Sequence, residues 1–235
     1  MEGVVLQLEN KKEYQKNLDE LIESINSVSK SALIVAPEVC LTDYDYENLE
    51  KACEFSEYAL NELLKIIDNQ ILALTLLRKK GDSFVNEAVV INKHRVVHSQ
   101  LKHKLFRLGN EHLYLRAGDG SDIKIFEING VKFGLLICFE LRYKELWQKI
   151  EGAEIILAPS QWGLPRKRHL EIISNGLAVI NQAFVLVANS SKADMASSSG
   201  IYFPMGGKII NDYAKIIETK LDFKELKFMR RYLKL

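Results

Sequence analysis

Three side chains with reactive groups lie where predicted β-strands end. Cys138 follows the apolar run FGLLI, Glu38 follows the run LIVAP, and Lys102 comes a few residues after a valine pair. A thiol can attack a carbonyl carbon, a carboxylate can move a proton, and an ammonium can stabilise a developing negative charge. In layered α/β folds such groups gather at strand ends, where a rigid scaffold presents them to a cleft. Taken one at a time, each also fits an ordinary role as a core thiol, a loop acid or a surface cation.

The elements that must position these residues follow from the apolar periodicity. The strand pattern covers residues 4–6, 32–36, 71–77, 84–91, 123–128, 131–138, 154–158 and 184–188. The helix pattern covers residues 14–28, 49–67, a short stretch from 141, 166–180, and a last segment that begins near Asp222 and Glu225. Alternating strands and helices predict an α/β layer structure.

Two predicted hairpins argue against a purely parallel sheet. One turns at Lys79-Lys80-Gly81-Asp82, and the other turns at Asn129-Gly130, where both residues tolerate positive φ. We therefore expect a mixed sheet or two stacked sheets. The sequence contains no low-complexity segment, linker or internal repeat, so residues 1–235 are predicted to form a single domain.

The composition excludes several classes of protein. Apolar residues make up 47% and charged residues 27% of the 235 positions, and the net charge is +1, which gives no electrostatic reason to expect nucleic acid as a partner. No apolar run is long enough to cross a membrane, and the N-terminus does not resemble a secretory signal. Three cysteines are too few for a disulfide scaffold, so we expect a cytoplasmic protein.

Segments around the three reactive residues resemble motifs of the nitrilase superfamily, the carbon–nitrogen hydrolases. LIVAPEVCLTDY is similar to the family's "PE…LTGY" segment and places its glutamate on Glu38. LKHKLFRLGNEHLY is similar to its "K-x-H-L-F…E" segment and places a lysine on Lys102 and a second glutamate on Glu111. GVKFGLLICFELRYKELW is similar to its "G-x-x-I-C-Y-[DE]-x-R-F" segment and places the nucleophile on Cys138. The resemblance covers nearly the whole chain, in order.

The resemblance implies a hydrolase that cleaves a non-peptide C–N bond of a small amide through a thioester. Cys138 would attack the carbonyl, and Glu38 would act as general base, a role that contributes about 10²–10⁴ in rate. Lys102 and the backbone N–H of Phe139 would stabilise the oxyanion, and one such donor contributes about 10²–10³. Glu111 would hold Lys102. An adjacent cation and a helix beginning after Cys138 would lower the pKa of the thiol.

Substrate contacts are implied for Phe139, Trp162, Tyr44 and Arg142. CFELRY and QWGLPRKRH look most like the ω-amidase branch, which hydrolyses short ω-amides of dicarboxylic acids. Trp162 either walls the pocket or is a core indole. Arg142 is either structural, which we favour, or a ligand for a substrate carboxylate.

The family fold is a four-layer αββα sandwich of two mixed β-sheets flanked by helices, and we expect it here. Family members usually form dimers, so the resemblance implies a homodimer or a higher homo-oligomer, with the helical tail of about 15 C-terminal residues at the interface. The expected partners are therefore the small amide substrate, water and a second copy of the chain, with neither nucleic acid nor membrane.

No cofactor and no metal are expected. His94, His98, His103 and His112 are scattered through a charged stretch without the spacing of zinc ligands, and we expect them to be solvated surface residues.

The sequence departs from the family at several positions. Lys104 stands where a histidine is usual, and Glu140 stands where Asp is more common. Leu177 and Ile180 replace an arginine and a glutamate of the helix before NQAF. These changes leave the reactive residues in place, but they weaken any transfer of substrate specificity.

Other functions remain open at this stage. An N-carbamoyl-amine or β-ureidopropionate amidohydrolase, or a nitrilase, would use the same residues. A catalytically silent member could serve as a binding or assembly module. His169-Leu170-Glu171 together with Cys138 could imitate the triad of class I glutamine amidotransferases, but that fold carries its cysteine on a Gly-x-Cys-x-Gly elbow, which is missing from LICFE.

Overall fold

The computed structural model describes residues 1–233. The strands of the first half are β1 Glu2–Leu6, β2 Leu33–Val35, β3 Ile71–Lys80, β4 Ser83–Asn92 and β5 Arg95–Leu101. Those of the second half are β6 Phe126–Ile128, β7 Val131–Leu135, β8 Ile155–Pro159, β9 Phe184–Ala188, β10 Gly200–Tyr202, β11 Lys208–Ile210 and β12 Ile216–Lys220. The α-helices are α1 Tyr14–Ser27, α2 Leu49–Ile66, α3 Glu111–Tyr114, α4 Lys144–Lys149, α5 Lys167–Ile180 and α6 Phe223–Tyr232.

The strands form two six-stranded sheets, both of mixed direction. The first has the order β12-β1-β2-β3-β4-β5, in which β1, β2 and β3 run parallel and the remaining pairs run antiparallel. The second has the order β11-β10-β9-β8-β7-β6, in which β7, β8 and β9 run parallel. The expected mixed sheets are therefore present.

Alternation along the strands separates the layers. Val5 packs in one cluster with Leu157 and Val187 of the second sheet, so it faces the space between the sheets. Its neighbour Val4 packs in another cluster with Leu18 of α1. Because successive strand side chains point to opposite faces, one apolar strand serves both layers. The fold is the four-layer αββα sandwich, as predicted.

Most elements lie where the periodicity predicts them, and the differences concern strand ends and a few strands that were not predicted. Residues 123–125 and 136–138 lie outside β6 and β7, so the strand before Cys138 ends at Leu135. The hairpin of β3 and β4 reaches Lys80 and Ser83. Strands β5, β10, β11 and β12 were not predicted. The sequence of β5, RVVHSQL, has only two adjacent valines before a polar stretch, β10 and β11 have three residues each, and β12, IIETK, is only partly apolar.

The last helix begins as predicted, and the Asp222 carboxylate accepts a hydrogen bond from the Lys224 N–H at 2.9 Å. The final two residues of the predicted tail, 234 and 235, lie outside the described residues. Among residues 1–233, no helix has the length and apolarity that a membrane span requires.

Candidate active site

The strand ends bring the reactive residues together. Glu38 lies three positions beyond β2, Lys102 directly follows β5, and Cys138 lies three positions beyond β7. The Glu38 N–H donates to the carbonyl of Ser160, which follows β8, at 3.1 Å. This hydrogen bond joins the ends of two strands from different sheets. The site therefore lies between the sheets, at one end of the sandwich.

Lys102 is the centre of a buried charge network. Its Nζ donates to Glu38 Oε1 at 2.7 Å and to Glu111 Oε1 at 2.7 Å, and the three side chains are between 0% and 4% exposed. The other carboxylate oxygen of Glu111 accepts from the Phe106 N–H at 3.0 Å. Charge-assisted hydrogen bonds of this length are among the stronger ones in proteins. Lys102 is thus fixed between two acids.

The two oxygens of Glu38 have different surroundings. Oε1 accepts from Lys102, from the Tyr44 hydroxyl at 2.7 Å and from Asn86 Nδ2 at 2.9 Å. Oε2 is buried and has no hydrogen-bond partner among the described residues. A buried carboxylate oxygen without a donor is costly unless a reacting group uses it. Glu38 is therefore held by one oxygen and has the other available to take a proton.

Cys138 occupies a strained turn. Its φ is +51°, in the left-handed region that a residue with a Cβ rarely adopts, and it opens a 3₁₀ turn over Cys138–Arg142. The Sγ atom accepts from the Gln161 N–H at 3.5 Å. A nucleophile can thus sit on a sharp turn without the flanking glycines of the elbow motif.

Burial raises the pKa of the Cys138 thiol well above its ordinary value, and the negative charge of Glu38 raises it further. Lys102 and the Gln161 N–H act in the opposite direction but do not prevail. The expectation of a thiol with a lowered pKa is therefore wrong for the resting site. The main physical reason is the burial of the thiol. In addition, Lys102 is already paired with two acids, and the element at Cys138 is one short 3₁₀ turn with little dipole.

The ammonium form of Lys102 is strongly favoured. Burial alone would lower its pKa, but Glu38 and Glu111 raise it above the ordinary value. For Glu111 the largest influence is burial, which raises its pKa despite the opposing effect of Lys102. The surroundings of Lys102 therefore hold it in its ammonium form.

A small cleft opens over the sulfur. Its empty volume is about 230 Å³, counting the open mouth. The lining residues are Phe106, Cys138, Phe139, Arg142, Gln161, Trp162 and Arg166. A concave, largely apolar pocket with a few polar groups is the usual form of a small-molecule site.

Two guanidinium groups form one wall of the cleft. Arg142 stacks over the Trp162 indole at 4.6 Å from its centre and contacts His169 Nδ1 at 3.0 Å. Arg166 lies over the Phe106 ring at 5.0 Å. Within residues 1–233 neither arginine forms an ion pair with an acid. Partial burial and the charge of Arg166 both lower the pKa of Arg142. Two such cations beside Cys138 suit an anionic group on a ligand.

Comparison with known proteins agrees with this geometry. The profile of the carbon-nitrogen hydrolase family matches residues 5–229. The chain belongs to the carbon-nitrogen hydrolase family. It is 28% identical over 215 residues to the 2-oxoglutaramate amidase of Bacillus subtilis (strain 168), which covers 86% of this chain and 82% of that protein. It is 26% identical over 151 residues to omega-amidase YafV of Escherichia coli (strain K12), which covers 64% of this chain and 57% of that one.

A solved structure shares the fold of this carbon-nitrogen hydrolase. Saccharomyces cerevisiae Nit3, a member of branch 10 of the nitrilase superfamily, superposes with a TM-score of 0.85 at 21% identity. The match covers 100% of this chain and 94% of that one.

Within this carbon-nitrogen hydrolase, the predicted residues separate into two groups. Glu38, Lys102 and Glu111 form the buried network, while Cys138, Phe139, Trp162 and Arg142 line the cleft. Tyr44 differs from its prediction as a substrate ligand. Its hydroxyl lies in the network, donating to Glu38 and accepting from Lys102 at 3.1 Å, and it is not among the residues that line the cleft.

Three further residues of the site had no assigned role in the sequence. Gln161 and Arg166 line the cleft, and Asn86 binds Glu38. The basic segment after Trp162 was the available signal for Arg166. Gln161 offers only its proximity to Trp162, and its carboxamide donates to Asp43 Oδ1 at 2.7 Å, a contact between residues far apart in the sequence.

The histidines do not all fit the surface prediction. His94 and His112 are exposed, but His98 is buried, with its ring stacked 4.0 Å from the Phe126 ring and one nitrogen 3.1 Å from Gln100 Oε1. His103 is half-buried against the Gly118 carbonyl. Strand β5 explains His98, because its alternation turns His98 and Gln100 toward the interior. Residues 1–233 contain no group of three potential metal ligands from His, Cys, Asp or Glu.

The two unusual positions on α5 have separate surroundings. Leu177 is fully buried against the second sheet, whereas Ile180 is 59% exposed. Apolar packing thus stands where the family usually has an arginine, and the usual glutamate position is an apolar surface residue.

Proposed function

We propose that this carbon-nitrogen hydrolase is an amidase that uses Cys138 as nucleophile, Glu38 as general base and Lys102 as oxyanion stabiliser. The observation that supports it most directly is the unpartnered Oε2 of Glu38, the acid whose charge acts on the Cys138 thiol. Because burial keeps the thiol protonated, the reaction needs a base at this position.

In the first half of the reaction, Glu38 accepts the thiol proton and the sulfur attacks the amide carbonyl. The resulting oxyanion is stabilised by the Lys102 ammonium and the Phe139 N–H. Glu38 then gives its proton to the amide nitrogen, the C–N bond breaks, and ammonia or an amine leaves behind a thioester on Cys138.

In the second half, a water molecule gives a proton to Glu38 and attacks the thioester. The C–S bond breaks, the carboxylic acid leaves, and the proton returns to the sulfur. Glu111 keeps Lys102 in position throughout, while Tyr44 and Asn86 keep Oε1 of Glu38 occupied, so that proton transfer is confined to Oε2.

The cleft favours an ω-amide of a short dicarboxylic acid as substrate. The amide would lie over Cys138, and the distal carboxylate would reach Arg142 and Arg166, which line the cleft and form no ion pair with another part of residues 1–233. The position of Arg142 in the cleft now supports the ligand role over the purely structural one. Relatives named 2-oxoglutaramate amidase and omega-amidase support the same choice.

N-carbamoyl acids are the second candidate, because they also combine a C–N bond with a distal carboxylate. A catalytically silent role is less well supported, since the buried network and the cleft contain the residue types that the chemistry requires. A nitrilase would use the same residues, but the two relatives named above are amidases, which favours an amide substrate.

An ammonia-release screen tests the proposal. It would compare 2-oxoglutaramate, other ω-amides, neutral amides, nitriles and N-carbamoyl compounds, with Cys138→Ala as the negative variant. Cys53→Ala is the matched control, because Cys53 is a buried cysteine of α2. We expect ω-amides to be preferred, Cys138→Ala to be inactive and Cys53→Ala to be active. Ammonia release by Cys138→Ala at the parent rate would refute the proposed nucleophile.

We also propose that the protein is a cytoplasmic homodimer. A reducing compartment would keep Cys138 in its thiol form. An exposed apolar face on α5 supports the second copy: Ile172, Val179 and Ile180 are 58%, 44% and 59% exposed and line one groove. The C-terminal helix carries Phe228 and Tyr232, also exposed, and we retain it as part of the interface.

Sedimentation velocity of Ile180→Glu tests the assembly. We expect a monomer for this variant and a dimer for the control Ile66→Glu, which changes an exposed isoleucine of α2. An unchanged sedimentation coefficient for Ile180→Glu would place the interface elsewhere.

A further inference from the structure

Glu140 is a buried acid that the proposed reaction does not use. It is fully buried, two residues beyond Cys138 in the same 3₁₀ turn. Its side chain does not line the cleft. A carboxylate in such a place requires partners that repay its desolvation.

The partners of Glu140 are backbone groups from two segments of the site. One oxygen accepts from the Ile137 N–H at 2.8 Å, directly before the nucleophile. The other accepts from the His103 N–H at 2.7 Å and more weakly from the Lys104 N–H at 3.4 Å, directly after Lys102. The nucleophile turn and the lysine segment are thus joined through a single carboxylate.

We infer that Glu140 is a positioning residue, a clip that sets Cys138 and Lys102 in register for catalysis. This inference rests on the proposed reaction at Cys138. Its chemistry suits the task, because only an ionised carboxylate accepts hydrogen bonds at both oxygens without donating one. A neutral carboxyl or a carboxamide turns a donor toward one of these N–H groups. A misplacement of about 1 Å at a reacting centre can cost roughly 10² in rate.

The burial of Glu140, opposed by its hydrogen bonds and a nearby charge, decides when the clip is ionised. Burial raises its pKa to about 7, although the Ile137 and His103 N–H groups and the charge of Lys102 act to lower it. From the same turn, Cys138 and Arg142 are the other ionisable groups. From the facing segment, the Lys104 side chain is directed to Glu145 at 3.3 Å and the His103 ring to the Gly118 carbonyl.

The consequence is that kcat should fall on the acidic side of neutral pH; this part of the pH profile is called the acidic limb. As the pH rises through about 7, Glu140 loses its proton and the clip forms, so kcat increases. Substrate binding depends mainly on the cleft walls, and KM should change less than kcat.

The test compares Glu140→Gln and Glu140→Asp with the parent in ammonia release from 2-oxoglutaramate between pH 5.5 and 9. Glu145→Gln, an exposed acid on α4, is the matched control. We expect Glu140→Gln to lose roughly 10² in kcat and to lose the limb near neutral pH. Glu140→Asp keeps the charge and should recover part of kcat, and Glu145→Gln should resemble the parent.

Hydrogen–deuterium exchange of the same variants gives a readout that does not depend on activity. Glu140→Gln should speed exchange jointly at Ile137 and His103, with the β3–β4 hairpin unchanged. A parent without amidase activity would refute the proposed function, and exchange would still decide the clip. The clip is overturned if Glu140→Gln keeps the parent's kcat and pH limb, if Glu140→Asp is no more active than Glu140→Gln, or if exchange at the two amides does not change.

Discussion

Replacing Lys102 by Met tests the buried network, because it removes the cation and keeps most of the side-chain volume. Two carboxylates, Glu38 and Glu111, each lose an ion pair of 2.7 Å in a region where all partners are at most 4% exposed. Removing one partner of a buried ion pair typically costs about 3–5 kcal/mol. We expect Lys102→Met to lower the free energy of unfolding by at least about this amount at pH 8, and to release no detectable ammonia.

The loss should depend on pH with a definite sign. Burial already raises the pKa of Glu111, and removal of Lys102 should raise it further. When a carboxyl has a higher pKa in the folded than in the unfolded chain, the protein loses stability as the pH rises from the unfolded-state pKa through the folded-state pKa. The reason is that the unfolded chain binds fewer protons than the folded chain in this range. The deficit of Lys102→Met should therefore shrink at pH 5.5, where Glu111 can hold a proton.

Urea unfolding at pH 8 and pH 5.5 measures both effects, with Lys104→Met as the matched control. Lys104 pairs with Glu145 at 3.3 Å, and these side chains are 26% and 56% exposed, so its loss should cost at most about 1 kcal/mol. Adding Glu111→Gln to Lys102→Met should restore part of the stability. The reasoning is refuted if Lys102→Met costs no more than Lys104→Met, or if its deficit is the same at both pH values.

Three further variants test other parts of the account. Arg166→Met should raise KM for 2-oxoglutaramate by about 10-fold or more, since a charged hydrogen bond contributes about 1.5–3 kcal/mol. KM for a neutral amide should stay within about twofold. Equal effects on both substrates would show that Arg166 does not recognise the substrate carboxylate. Tyr44→Phe should lower kcat about 10-fold, measured as ammonia release at saturating substrate, because Glu38 loses one of its donors; an effect on KM alone would restore the predicted role in substrate binding. In urea unfolding, the parent should lose about 3 kcal/mol of stability as the pH rises from 4.5 to 7, because the pKa of Glu140 is raised from 4.5 to about 7 and each pH unit is worth about 1.36 kcal/mol. Glu140→Gln should remove this loss. An unchanged pH dependence of stability would contradict the prediction.

Much of the fold could be predicted from the sequence, because the helices and the strands that form its layers have different periodicities of apolar residues. Helices α1, α2 and α5 lie within a residue of their predicted bounds, since each presents an apolar face to a sheet. Strands β10 and β11 are too short to show alternation, and they form by pairing with each other and with β9. His98 was misjudged because the strand pattern was not continued beyond the valine pair of β5.

The candidate site divides in the same way. The positions of Glu38, Lys102 and Cys138 could be predicted from strand ends and from motif resemblance, and the structure brings the three together. The direction of the shift in the thiol pKa could not, because it depends first on how deeply the folded chain buries Cys138 and then on the opposing charges of Glu38 and Lys102. The clip formed by Glu140 is also invisible in the sequence, since it joins the neighbouring Ile137 N–H to the His103 N–H, which is 37 positions from the acid.

Rapid acid quench during turnover of 2-oxoglutaramate, followed by mass mapping of the peptides, tests the central claim most directly. The account predicts the mass of the acyl group on the peptide that contains Cys138, formed in step with the first release of ammonia and absent from Cys138→Ala. A burst of ammonia without an adduct on Cys138, or an acyl group on a different residue, would contradict it.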